Sequence, residues 1–279
     1  LSKLPSVGSL FCFYRFKIFF TFLGTRYKMN TLNRTVIFGA TSAIAACTVQ
    51  QLVQNGASVF CVARDKEKLD ILLADLKVRA APEQIIAGIT ADLTDYSRHE
   101  ALFSMAQESL GSLDSVLVAH GILPIQPDCE NNIPLMLDSF HINALSVISL
   151  LSIAANLFTK KESGVIAAIS SVAGDRGRQS NYVYGSAKGA VSIFMQGLRN
   201  RLTKKNISVV TIKPGFVRTP MTDGFERDGV LWADPEKIAK GIVNAMRKGK
   251  GEVYLPWFWQ GIMCIIKSIP EFIFKRLSL

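Results

Sequence analysis

Thr35-Val36-Ile37-Phe38-Gly39-Ala40-Thr41-Ser42-Ala43-Ile44-Ala45 is the stretch whose reading decides the fold. Thr35 to Phe38, β-branched and aromatic, reads as a short strand. Gly39 permits a tight turn, and a helical pattern runs from Ala43 to Asn55, closed by Gly56. Strand, turn and helix N-terminus in immediate succession aim backbone N–H groups and the positive helix end at one point, where a phosphate can sit. Thr41 and Ser42 can add hydroxyl donors, with Ile44 in the first turn. A purely structural turn accounts for these residues equally well.

Working outward, apolar runs alternate with helical patterns, which is the signature of βαβ units on a parallel sheet. Ser58 to Ala63 reads as the second strand, and Asp65 to Val78 as a helix with Leu69, Leu72, Leu73 and Leu76 on one face. Ile85 to Thr90, Ser115 to Ala119, Gly164 to Ser170, Ile207 to Ile212 and Val253 to Leu255 supply further strands. Helices are expected over Tyr96 to Leu110, Leu135 to Phe158 and Tyr182 to Leu202. The fold class is α/β: a single Rossmann-type domain, a doubly wound parallel sheet with helices on both faces. Its expected extent is 31–255, between an N-terminal extension (1–30) and a hydrophobic tail (256–279).

The net charge of +10 invites a nucleic-acid reading, but half of it comes from Lys3, Arg15, Lys17, Arg26 and Lys28. The rest of the chain has no extended basic run with interleaved aromatics, so nucleic acid is not an expected partner. Leu10 to Leu23 is apolar but broken by Arg15 and Lys17, shorter than the roughly 20 residues of a span. It reads as an upstream extension with Met29 the natural start, or as a basic amphipathic anchor. Five cysteines without C-x-x-C spacing read as reduced packing residues. Three scattered His (His99, His120, His141) without acidic clusters give no metal site.

The second strand ends Ala63-Arg64-Asp65. No carboxylate stands at Ala63 to bind a ribose 2′-hydroxyl, and Arg64 suits a 2′-phosphate, so NADP(H) is expected over NAD. A solvated Arg is the plain alternative. Asp92, followed by Leu93, either meets the adenine end or caps the helix near Asp95. Tyr184 and Lys188, four apart on a helix, share one face. A phenol beside an ammonium can give a proton to a carbonyl oxygen. Ser171, at a strand end thirteen residues before Tyr184, can orient that oxygen, while Ser170 points into packing.

These residues, with Ala119-His120-Gly121, Asn143 and Pro214-Gly215-x-x-x-Thr219, resemble the short-chain dehydrogenase/reductase family over about Thr35 to Thr222. The resemblance implies Tyr184 as acid/base, Ser171 polarising the carbonyl, and Lys188 holding the nicotinamide ribose and lowering the Tyr184 pKa. It implies Asn143 sustaining a relay water, Ala119 and Gly121 beside the cofactor, and Pro214, Gly215, Val217 and Thr219 along the carboxamide. A mobile substrate loop would follow from Pro220 to about Val230. Two departures are the alanines at 43 and 45, where the family has glycines, and Ala119-His120-Gly121 in place of Asn-Ala-Gly.

The tail carries Trp257, Trp259, Lys267, Lys275 and Arg276, which fits either an interfacial helix or a segment packed over the substrate pocket. With the Ala-rich loop it is similar, more loosely, to decaprenylphosphoryl-ribose 2-keto reductase-type members. That likeness implies a lipid-linked sugar ketone, or another amphiphilic carbonyl compound, as substrate. The expectation is thus an NADP(H)-dependent carbonyl reductase or alcohol dehydrogenase. It would be a homo-oligomer, cytoplasmic, and peripheral at the inner face of the membrane. A catalytically silent NADP-sensing protein of the same fold is the rival.

Overall fold

The computed structural model describes residues 29–226 and 229–277; the expected extension and the Leu10 to Leu23 anchor lie outside them. β1 (Arg34–Phe38) is buried from Thr35 onward, as suits a strand covered on both faces. β2 (Ser58–Ala63), β3 (Ile86–Thr90), β4 (Ser115–Val118), β5 (Gly164–Ile169), β6 (Ile207–Pro214) and β9 (Glu252–Leu255) join it in one sheet. Its order is β3-β2-β1-β4-β5-β6-β9, with every pair parallel. A small parallel pair, β7 (Phe216–Val217) and β8 (Trp232–Ala233), brackets the expected substrate loop.

Helices α1 (Ala43–Gln54) and α2 (Lys66–Arg79) cover one face. α3 (His99–Leu110) covers the other, and short α4 (Gln126–Asn131) follows β4. The expected helix Leu135 to Phe158 begins earlier and ends later: α5 (Ile133–Phe140), a π turn (His141–Leu145) and α6 (Ser146–Lys161) run as one rod. By length and composition that rod could cross a bilayer, yet it packs Val147, Leu150, Leu151, Ala154 and Phe158 into the core. α7 (Tyr182–Leu202) begins and ends where its apolar pattern does. α8 (Pro235–Lys248) was not anticipated, although Asp234-Pro235-Glu236 is a helix-start signal. It closes the α1 side with Ile238, Ile242 and Met246.

Two local features position the site. Gly39 adopts φ +80°, and a Cβ there would meet the His120 backbone nitrogen at 2.6 Å. Only glycine combines that left-handed turn with so close an approach of the β1 and β4 ends. Ala43 and Ala45 replace glycines without strain because they already lie in helix α1. Second, a Cβ on Gly174 would meet the backbone of Lys188 and Gly189 at 2.7 Å, so the loop after β5 lies directly on α7.

The tail folds back as α9 (Trp259–Ser268) and α10 (Glu271–Phe274). Trp259 and Met263 are buried against Val172 and Tyr254, whereas Trp257 is 80% exposed. A Cβ on Gly215 would overlap the Trp259 indole. Gly215→Ala should destabilise the protein by about 1–3 kcal/mol, read from the denaturant midpoint. In a Trp259→Ala background the same change should cost much less, since the overlapping ring is gone.

Candidate active site

The strand order reverses between β1 and β4, and there a crevice of about 1140 Å³ opens along the carboxyl ends of the strands. At one end α1 presents its N-terminus: Ser42 is the N-cap, its Oγ 3.4 Å from the Ala45 N–H, and the first turn holds no acidic residue. Gly39, Thr41, Ser42 and Ile44 line this end. The first N–H groups of a helix have no partner within it, so the turn is built to meet an anion.

Arg64 follows β2, exposed at the crevice wall. Among the described residues it forms no ion pair, though its charge helps lower the Asp92 pKa, after the Thr94 hydrogen bonds. Asp92 Oδ1 accepts from the Thr94 N–H at 2.9 Å and its hydroxyl at 2.8 Å, and Asp95 caps the following turn. The alternative that Asp92 caps that helix is therefore set aside. Leu93 is buried, and its carbonyl accepts from His99 Nε2 at 3.0 Å.

The loop after β4 brings Ala119, His120 and Gly121 to the crevice. His120 Nε2 lies 2.6 Å from Ser146 Oγ, which donates to the Ile142 carbonyl at 3.0 Å. This network assigns the proton to Nε2 and leaves Nδ1 a buried acceptor without a partner. Burial, with the nearby Lys188 and His99, pushes the imidazole down to about 3, so it stays neutral. Asn143, expected in the site, is fully buried behind Gly121 rather than in the crevice wall. Its Oδ1 accepts from the Ile122 N–H at 2.9 Å and its Nδ2 donates to Ser139 at 3.1 Å, from within the π turn. Such turns interrupt helices most often at functional sites.

Ser171, Tyr184 and Lys188 converge at the other end. Ser171 Oγ caps the Ala173 N–H at 3.1 Å and lowers the pKa of the Tyr184 phenol across the crevice. Ser170 turns away, bonded to the Lys188 carbonyl and Ser192, as expected. Lys188 Nζ lies 5.8 Å from the Tyr184 ring centroid and donates to the Ile169 carbonyl at 3.2 Å. The expected lowering of the Tyr184 pKa by Lys188 does not appear. Burial pushes the phenol up to about 12, opposed only by Ser171, and pulls Lys188 down to about 8. Desolvation outweighs a cation at this separation. Pro214, Gly215, Val217 and Thr219 complete the wall, which Arg178, Ser180 and Asn181 also join. These last three were not singled out in the sequence, although their Gly- and Arg-rich loop between Ser171 and Tyr184 marked a place to look.

A doubly wound parallel sheet with a crevice at its switch point defines the class, an α/β protein of Rossmann type. A family model described as short chain dehydrogenase matches residues 33–229. An uncharacterized oxidoreductase of Mycobacterium tuberculosis is 30% identical over 242 residues, covering 87% of this chain and 96% of that protein. One from Streptomyces coelicolor is 27% identical over 246 residues, 87% of this chain and 94% of its own. Among solved structures, a short-chain type dehydrogenase/reductase from Mycobacterium ulcerans superposes with a TM-score of 0.74 at 22% identity. It covers 81% of this chain and 89% of that one. Levodione reductase gives 0.72 at 20% identity, covering 79% and 94%. The chain belongs to the short-chain dehydrogenase/reductase family, whose members use NAD(P)(H), act on small molecules and often form oligomers.

The lowered Lys188 pKa has a measurable consequence. Between about pH 8 and its ordinary 10.5 the unfolded chain binds more protons at this residue, so the Lys188 contribution to stability rises with pH. Below pH 8 the cost of burying the charge is fully present. A side-chain NMR titration of the ligand-free protein should show one lysine with a midpoint near pH 8, absent in Lys188→Met.

Proposed function

We propose that this chain is an NADP(H)-dependent carbonyl reductase or alcohol dehydrogenase in which the Tyr184 hydroxyl carries the proton. The observation that carries the reading is the convergence of Ser171, Tyr184 and Lys188 in one crevice, with Lys188 Nζ 5.8 Å from the phenol ring centroid. Bound nicotinamide supplies or accepts the hydride at the substrate carbon. Ser171 orients the substrate oxygen. Tyr184, kept protonated by burial, donates to that oxygen as negative charge develops on it. Asn143 acts as a positioning residue, holding the Ile122 backbone beside Gly121.

The residues present fit the dinucleotide. The α1 N-terminus, without an acidic side chain in its first turn, would hold the pyrophosphate through Gly39, Thr41, Ser42 and Ile44. Arg64, unpaired among the described residues, would hold the 2′-phosphate, and Asp92 with Leu93 the adenine end. Ala119 and Gly121 would flank the ribose, Lys188 would hold the nicotinamide ribose, and Pro214, Gly215, Val217 and Thr219 the carboxamide. A cofactor sensor without catalysis has no use for a phenol, a hydroxyl and an ammonium converging in one crevice, which favours the enzyme.

An amphiphilic or lipid-linked substrate, met at a membrane surface, is the finer part of the reading. Trp257, Ile265 and Phe272 are exposed on the tail, with Lys267, Lys275 and Arg276 close to them in sequence. The protein should co-sediment with phosphatidylglycerol vesicles at low salt and not with phosphatidylcholine ones; equal sedimentation with both would remove this clause.

Tyr184→Phe should lower kcat for carbonyl reduction by at least about 10²-fold, the range of a lost general acid, with NADPH affinity held. Retained turnover would take the proton from this residue. Arg64→Ala should weaken NADPH by about ten- to a hundredfold and leave NADH unchanged, one charge-assisted contact being worth about 1.5–3 kcal/mol. Tighter binding of NADH than NADPH by the unaltered protein would reverse the cofactor assignment.

A further inference from the structure

Gly174-Asp175-Arg176-Gly177-Arg178 runs between Ser171 and Tyr184, and its three charged side chains take three directions. Asp175 turns inward: Lys213 Nζ lies 2.6 Å from Oδ1, the Tyr254 hydroxyl donates to Oδ2 at 2.6 Å, and both ion-pair partners are 3% exposed. Arg176 turns to the tail, donating to the carbonyls of Ile266 and Ile269 at 2.6 Å each, with its guanidinium 3.6 Å above the Phe274 ring. Arg178 turns into the crevice that Tyr184 also lines.

Arg178 alone of the three has no hydrogen-bond or ion-pair partner among the described residues, and its Nε is buried without an acceptor. Asp175 acts on it only through space, with both oxygens already engaged. The carboxylates lining the crevice are placed elsewhere: Asp65 caps α2, Asp92 holds Thr94, and Glu226 is exposed. Burial lowers the Arg178 pKa from its usual range, the mark of a charge without compensation. A guanidinium held in this way would gain its counter-charge from an anionic ligand. The loop is pinned around it, at Asp175 and Arg176 before and at Val183 after, whose N–H donates to Gln126 Oε1 at 3.1 Å. Asn181, whose Oδ1 is also buried and unpartnered, lines the same wall.

We propose that the substrate carries an anionic group, a carboxylate or a phosphate, and that Arg178 binds it beside Tyr184 and thereby selects which carbonyl compounds enter. This rests on the reductase reading. The cofactor's own phosphates do not account for Arg178. Their expected partners follow β1 and β2, whereas Arg178 follows β5. A planar fork of N–H donors suits both anions, since each presents two oxygens side by side.

Calorimetric titration of benzoate, phenyl phosphate and neutral benzamide into the full chain, with and without saturating NADP⁺, tests this. At least one anion should bind ten or more times tighter than benzamide. Arg178→Gln should erase that preference, and Arg178→Lys should keep part of it. Anions no tighter than benzamide, no measurable binding of any probe, or a preference that survives Arg178→Gln would overturn the proposal. A failure of NADP⁺ to bind counts against the cofactor reading instead. The comparison of benzoate with phenyl phosphate tells which anion the site takes.

Discussion

All seven strands of the main sheet run parallel, so all of them end on the same edge, and that constraint decides where chemistry can be assembled. Gly39, Arg64, Asp92, Ala119, Ser171 and Pro214 close or follow six different strands and come together only because those strands point one way. The order reverses between β1 and β4, which sends the following helices to opposite faces and leaves a gap between them. Gly39 keeps that gap tight at its base by letting the β1 turn lie against His120. The crevice is thus a product of topology before any side chain is chosen.

A second constraint stiffens the half of the crevice that holds Tyr184. The loop after β5 is pressed onto α7 at Gly174 and tied to β6 by the buried Asp175–Lys213 pair. Lys213 also pairs with Glu252 at 3.0 Å, so the same buried charge cluster joins this loop to β6 and β9. Arg176, next in sequence, holds two carbonyls at the end of α9 and stacks on Phe274. Trp259 meanwhile packs over Gly215 in the opposite wall. The C-terminal segment therefore touches both walls of the site, and its integrity and that of the substrate loop are physically linked.

Most of the sheet was legible because buried parallel strands must be continuous apolar runs, and those runs stand out between turn residues. The α7 limits were equally clear, since its pattern is uninterrupted from Tyr182 to Leu202. What failed to show has a common origin in long-range contacts. A π turn at His141–Leu145 leaves no trace in apolar spacing, and the tail, which packs onto Val172 and Tyr254, left its packed and interfacial readings open. Of the expected site residues, all but Asn143 line the crevice. Asn143 is set behind Gly121 by that same unforeseen turn. Arg178 escaped notice because a lone Arg in a glycine-containing loop looks solvated until the fold shows what surrounds it.

Burial acts on Tyr184 and Lys188 in opposite senses for one reason: it penalises whichever form carries charge. The phenol moves up to about 12 and the ammonium down to about 8. At neutral pH the phenol is thus a neutral donor while the lysine still holds its proton. On the proposed reading the phenolate is the form that the site must stabilise. Donating the phenol proton leaves the phenolate and taking one from an alcohol begins from it, so either direction meets the same penalty of desolvated charge. Ser171 offsets part of that, and Lys188, bonded to the Ile169 carbonyl and 5.8 Å from the ring centroid, contributes little. On that reading, proton transfer through Tyr184 in either direction draws on positive charge that the chain's own side chains supply only in small part.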